Sequence, residues 1–215
     1  MDNNGTGSDI SSDALFREEI LVEYLGLDRL VIAPVFAFAV RHRSQQPTVG
    51  LIIRRIKTAL DGAIVSALLV AALRMLPVDN TPQGMAKRIV RQAEAKSAED
   101  AFVAGFDRLA YDYVTEDEQK SLSTLNPDIR FSKLTVVCGH LYLWLEYKDF
   151  FGFRANPYVA RSNKKQFRKY AIEIGPGAVV YKLGFEIGHV DIEGVRLFHE
   201  EEVGRYLISE RNRDG

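Results

Sequence analysis

Apolar and polar positions alternate with two different periods along this chain, and the change falls near residue 128. Up to there the spacing is helical. Ser11, Ser12 and Asp13 offer caps before Leu15, Phe16, Ile20, Leu21, Tyr24 and Leu25, and Gly26 can close that helix. Asp28 caps a second helix that Pro34 is expected to kink or break. The spacing then predicts one long helix from about Thr48 to Leu76, with a polar stripe of Arg54, Lys57, Thr58 and Asp61 in its first half. Its second half is apolar all round, as in a helix buried on every side or meeting a partner. Thr81-Pro82 opens a helix to about Lys96. Ser97-Ala98-Glu99-Asp100 resembles a capping box for the next, whose buried stripe is Phe102, Phe106, Leu109 and Tyr113. Thr115-Glu116-Asp117-Glu118 caps a short last helix, and Asn126-Pro127 closes the region.

Beyond residue 130 the residues are β-branched and aromatic. Leu134 to Tyr147 reads as one strand or two, with Gly139 at a turn or bulge. Tyr170 to Ile174 reads as a short strand, and Gly175-Pro176-Gly177 as a turn. Val179, Tyr181, Leu183, Phe185 and Ile187 alternate with more polar positions, which predicts a strand with one buried face forming a hairpin with the one before it. Glu200 to Arg211 predicts a terminal helix with Val203, Tyr206 and Leu207 inward. The fold class expected is α+β: a helical N-terminal half of about five helices, then a small antiparallel sheet and a C-terminal helix. The expected organisation is a disordered tail over 1–12, a helical bundle over 13–127 and an α+β region over 128–215 that shares its core.

Charge alters this picture in one place. The 215 residues carry a net charge of −1. Between Phe150 and Ile172 there is no acidic residue but six basic ones: Arg154, Arg161, Lys164, Lys165, Arg168 and Lys169. Phe150, Phe151, Phe153, Tyr158, Phe167 and Tyr170 are interleaved with them. Cations neutralise phosphates and aromatic rings stack on bases, so this stretch, read as a loop or ribbon, predicts an anionic partner, nucleic acid foremost. Arg154, Arg161, Lys164, Lys165, Arg168 and Lys169 would contact phosphate, and Tyr158 and Phe167 would stack or pack. The pI near 6.4 confines such binding to a patch.

Other chemistry is sparse. The single cysteine, Cys138, excludes an intrachain disulfide and, beside His140, reads as a small core residue rather than a nucleophile. Ala63 to Leu73 and Leu30 to Val40 are too short and too closely flanked by charge to span a bilayer. No phosphate-binding glycine loop, Gly-x-Ser-x-Gly or His-Glu-x-x-His is present. His189, Asp191 and Glu193 alternate at a strand end, and Glu173 and Glu186 would face each other across the hairpin. Neither glutamate begins a nuclease-like Glu-x-Lys. The function expected is a non-enzymatic cytoplasmic adaptor for a polyanion, without catalytic residues, metal or cofactor. One alternative is a subunit of an assembly or a homo-oligomer built on the apolar helix 60–76 through Ile64, Leu68, Leu69 and Leu73. The other is a hydrolytic or metal-dependent enzyme using Glu173, Glu186, His189 and Asp191.

Overall fold

The computed structural model describes residues 23–120, 124–157 and 160–213. The expected tail over 1–12, most of the first expected helix and Tyr158 lie outside them. Helix α1 (Arg29–His42) starts where the Asp28 carboxylate accepts from Leu30 N at 2.7 Å. It runs through Pro34 unbroken, with that ring on the exposed face, where water can serve the carbonyl for which proline has no N–H. The long helix expected over 48–76 is two. In α2 (Val49–Ile56) the first turn is capped by Thr48, and Lys57 ends it in the left-handed region at φ 55°. Asp61, read from sequence as part of a polar stripe, caps α3 (Gly62–Leu73) instead. The reverse happens next. Helix α4 (Pro82–Asp107) passes through Ser97 without a break, since Lys96 pairs with Glu99 and Asp100 one turn on and no glycine or proline interrupts residues 85–104.

A five-stranded sheet has the order β1 (Tyr113–Thr115), β2 (Ile129–Val137), β3 (His140–Lys148), β4 (Gly177–Tyr181), β5 (Val195–His199). The capping box at Thr115 opens the short helix α5 (Glu116–Gln119) after β1, as its spacing predicts. β1, β2 and β3 pair antiparallel, with a tight turn at Cys138-Gly139 between the last two. β3 with β4 and β4 with β5 are parallel, so the sheet is mixed, not antiparallel. A parallel step needs a long crossover. Residues expected as a loop and a strand supply it as helix α6 (Ala160–Glu173). β4 is buried along its whole length, as a central parallel strand must be, and stops at Tyr181 rather than running to Gly188. Helix α7 (Glu200–Arg211) closes the chain with Val203, Tyr206 and Leu207 buried.

The pleat sends alternate residues of β3 to opposite faces. Leu145 and Tyr147 join Phe102 and Phe106 of α4 and Val203 and Leu207 of α7 on one face. Trp144 joins Phe167 and Tyr170 of α6 on the other. The Trp144 ring lies across Gly177, its partner on β4, where a Cβ would stand 2.0 Å from the ring. A third cluster packs α1, α2 and α3 around Val35, Ile52 and Leu68 and includes Phe151 and Phe153 from the segment after β3.

Candidate functional site

The sheet brings Asp128 to Glu146 and Lys148, a pair two residues apart on another strand. Pairing of Ile129 with Leu145 brings Asp128, the residue just before β2, alongside Glu146 and Tyr147. There its Oδ2 accepts from Tyr147 N at 2.6 Å. Glu146 and Lys148, two apart on β3, share the face toward α6. Lys148 Nζ lies 2.6 Å from Glu146 Oε1, and Gln166 of α6 donates to the same oxygen at 3.1 Å. Glu146 Oε2 is buried and has no hydrogen-bond partner among the described residues. Two further carboxylates close the cluster: oxygens of Glu99 on α4, Glu116 on α5 and Asp128 lie within 4.8 Å of one another. Lys96 and Lys120 pair with Glu99 and Glu116 at the rim.

Burial decides the electrostatics. Asp128 is 6% exposed and Glu146 3%. Burial first, then the Glu146 charge, raises the Asp128 carboxyl above its ordinary range, with Lys148 opposing. Burial raises Glu146 as well, against the pull of Lys148. For Lys148 burial acts downward, but Glu146 and Asp128 outweigh it, and the amine is held above its usual value as ammonium. Four carboxylates meet three ammonium groups, Lys148 within the cluster and Lys96 and Lys120 at its rim, so carboxylate stays in excess. An all-oxygen donor set of this kind suits a hard divalent cation such as Mg²⁺ or Mn²⁺.

The basic stretch lies on α6 and the turn before it. Arg161, Lys164, Lys165 and Arg168 fall at helical spacing i, i+3, i+4 and i+7, forming one stripe. With Arg154 and Pro157 they line a groove of about 690 Å³. Among the described residues none of these cations forms a salt bridge. The stripe is on the solvent side of α6, opposite the side that carries Asn163, Phe167 and Tyr170 into the core. Lys165 and Lys169 lie on the shoulder next to Gln166.

A family model described as "Protein of unknown function TPD sequence-motif" matches residues 71–195, more than half of the chain. The chain belongs to the TPD family. The TPD match takes in every residue of the acidic cluster and of the basic stripe, and leaves out α1, α2 and α7. No curated protein and no solved structure matches the chain.

The other residues singled out from sequence are dispersed within and around this TPD match. Phe167 is fully buried against Trp144, so it packs and does not stack on a ligand; Phe151 and Phe153 are likewise core. Leu68 and Leu69 are buried among α1, α2 and α3, with Ile64 and Leu73 packed against them. Glu173 is exposed at the end of α6, and no hairpin brings it to Glu186. Glu186 Oε2 accepts from Arg154 N at 2.7 Å. His189 Nε2 is 3.0 Å from the Tyr181 hydroxyl, and Asp191 is exposed. The Cys138 thiol is pushed up to about 12 by burial and by Glu202, the opposite of a reactive thiolate. Sequence reading overlooked Glu146-Tyr147-Lys148. The signal was present as a Glu-x-Lys on the strand it had already found, with Pro127-Asp128 at the start of the partner strand.

Proposed function

We propose that this TPD protein is a divalent-cation-dependent phosphodiester hydrolase acting on nucleic acid. One observation carries the reading: Asp128, Glu146 and Lys148 converge where β2 begins and β3 ends, and among the described residues a buried Glu146 oxygen is left without a partner. Asp128, Glu99 and Glu116 would hold the cation, with Glu146 beside Asp128. A bound cation would supply a lower-pKa water and neutralise phosphate oxygens. Lys148, kept protonated by its carboxylate neighbours, is suited to stabilising charge that develops on phosphorus-bound oxygen rather than to acting as a base. Gln166 fixes the Glu146 carboxylate from the other side. In the reaction, water oxygen bonds to phosphorus, the ester P–O bond breaks, and the leaving alkoxide takes a proton, giving a phosphomonoester and an alcohol. Read as residue letters, the family's motif is Thr-Pro-Asp. The Pro-Asp step within the matched span is Pro127-Asp128, with Asn126 in first place.

Nucleic acid enters through the cations. Lys165 and Lys169 lie beside Gln166 on the exposed shoulder of α6, and Lys96 and Lys120 rim the acidic cluster, so phosphates have positive partners on both sides of the site. The test is cleavage of end-labelled single-stranded, duplex and branched DNA and RNA in Mg²⁺, in Mn²⁺ and in EDTA. Cleavage in the metals and none in EDTA or in Glu146→Gln is expected. A folded protein that cleaves none of these, and whose melting temperature ignores both metals, would end the proposal. Binding without hydrolysis is the second reading, favoured by the basic stripe lying on the far side of α6 from Glu146.

A further inference from the structure

The acidic cluster and the outer stripe of α6 leave one cavity unused. Between α1 and the segment after β3 lies an apolar slot of about 410 Å³. Ile32, Phe36 and Val40 of α1 line it with Phe153 and Ala155, the Phe36 and Phe153 rings meeting edge to face at 5.0 Å. Arg29, Arg41 and Glu186 line it too. That carboxylate is 2% exposed, and while its Oε2 is taken by Arg154 N, its Oε1 is buried with no hydrogen-bond partner among the described residues. A buried carboxylate oxygen left unpaired is costly, and an N–H donor is the group that would satisfy it. The slot is not isolated. Ala155 lines both it and the basic groove of Arg154, Arg161 and Lys164.

Three requirements therefore fall on one occupant. It has a flat apolar body for the slot, an N–H donor on that body for Glu186, and a strongly anionic group within one covalent length for Arg154, Arg161 and Lys164. We propose that the slot and groove together form a nucleotide site. It takes a phosphorylated nucleoside whose base carries an exocyclic amine, as adenine and cytosine do. The base packs against Phe36, its amine donates to Glu186 Oε1, and the phosphates lie on the three cations. An acidic peptide meets the groove's charge but brings no planar donor-bearing ring to the slot. The chemistry is the same whether the nucleotide is free or is the 5′-phosphorylated end of a strand. The site stands on residues other than those of the acidic cluster and does not depend on the hydrolytic reading.

The test is isothermal titration of the full chain in EDTA, where turnover is silent, with ATP, UTP, inorganic triphosphate, a poly-glutamate peptide, and oligonucleotides bearing a 5′-phosphate or a 5′-hydroxyl. ATP should bind at least tenfold tighter than UTP and than triphosphate. Glu186→Gln, which keeps an acceptor for Arg154 N, should remove that preference. Ala37→Trp, at an exposed position of α1 beside the slot, should weaken ATP at least tenfold and leave triphosphate unchanged. Arg161→Glu with Lys164→Glu should weaken both. An oligonucleotide preferred tenfold when 5′-phosphorylated assigns the ligand as a strand end; ATP binding without that preference assigns it as free nucleotide. Equal affinity for ATP and triphosphate, unchanged by Glu186→Gln and Ala37→Trp, overturns the proposal, as does tighter binding of poly-glutamate than of ATP. A protein that binds ATP here and cleaves nothing sinks only the hydrolytic reading, and the converse sinks only this one.

Discussion

Replacing Asp128 by Asn should make the metal-free protein more stable while abolishing its response to metal. The Asp128 carboxyl is raised by burial and by the Glu146 charge. A group whose folded-state pKa lies above its unfolded value favours folding when protonated. That contribution is complete below the unfolded pKa of 3.8 and is lost as pH rises through the folded pKa. At neutral pH without metal, folding must therefore hold a proton on Asp128 or bury its charge, and either course costs free energy. A tenfold change in proton affinity between the folded and unfolded chain is worth about 1.4 kcal/mol. Asparagine removes one buried ionisable group and keeps an oxygen to accept from Tyr147 N, so about 1–3 kcal/mol should be recovered. For a chain of this length that is a rise in melting temperature of about 2–4 °C per kcal/mol. In wild type, 10 mM Mg²⁺ against a dissociation constant of about 0.1–1 mM contributes about 1.4–2.7 kcal/mol through binding linkage. The variant should lose most of that gain. Thermal melts by circular dichroism in EDTA, Mg²⁺ and Mn²⁺ read both effects. A variant that melts at or below wild type in EDTA, or that keeps the full metal-induced rise, would refute the electrostatic account of the site.

Lys148→Met leaves the buried Glu146 without its cation and should cost about 3 kcal/mol in metal-free urea denaturation. In the same variant, cleavage in Mg²⁺ should fall by about 10²-fold or more, while a variant retaining wild-type turnover would remove Lys148 from the chemistry. Gly177→Ala puts a methyl 2.0 Å from the Trp144 ring and should cost at least about 3 kcal/mol by urea denaturation, with a blue- or red-shifted tryptophan emission marking the displaced ring. His189 is lowered to about 4 by burial, then by Lys164 and Arg154, so its contribution is complete above the unfolded pKa of 6.5 and is lost as pH falls toward 4. The stability of wild type minus that of His189→Gln should shrink by about 3 kcal/mol across that window in urea titrations; a pH-independent difference would show that His189 does not titrate there.

Local signals were legible in the sequence where they did not depend on distant partners. The Thr115 capping box, the turn at Gly139 and the inward stripe of α7 all follow from short-range stereochemistry, and all are present. What was misread turned on longer-range physics. Lys57 ends α2 by adopting a left-handed conformation that no residue type at that position announces. Tyr170, Ile172 and Ile174 satisfy a strand's period, but Asn163, Phe167, Tyr170 and Ile174 fall at helical spacing, and the segment is the helical crossover that the parallel pair of β3 and β4 needs. The alternation from Val179 onward was real only to Tyr181. Beyond it the same apolar residues fill turns, with Gly184 and Gly188 at positive φ. The acidic cluster was hidden for a related reason. Its members come from α4, α5, the start of β2 and β3, and no spacing rule connects them. The Glu146-x-Lys148 pair alone carries a local spacing signal, and it was overlooked.

Helix α5 is a single turn, secured by the Thr115 cap and by the Gln119 amide bonding to the carbonyls of Val114, Thr115 and Pro127. Yet it supplies Glu116, one of the oxygens facing Asp128 and Glu99. A cation bound there would do for α5 what a crosslink does for a loop, tying a short, weakly anchored turn to the long α4 and to the sheet. Occupancy would then be a mechanical state of the molecule as well as a chemical one. Amide exchange at residues 116–119 would slow with loading, and the mouth of the site would stiffen as it becomes competent.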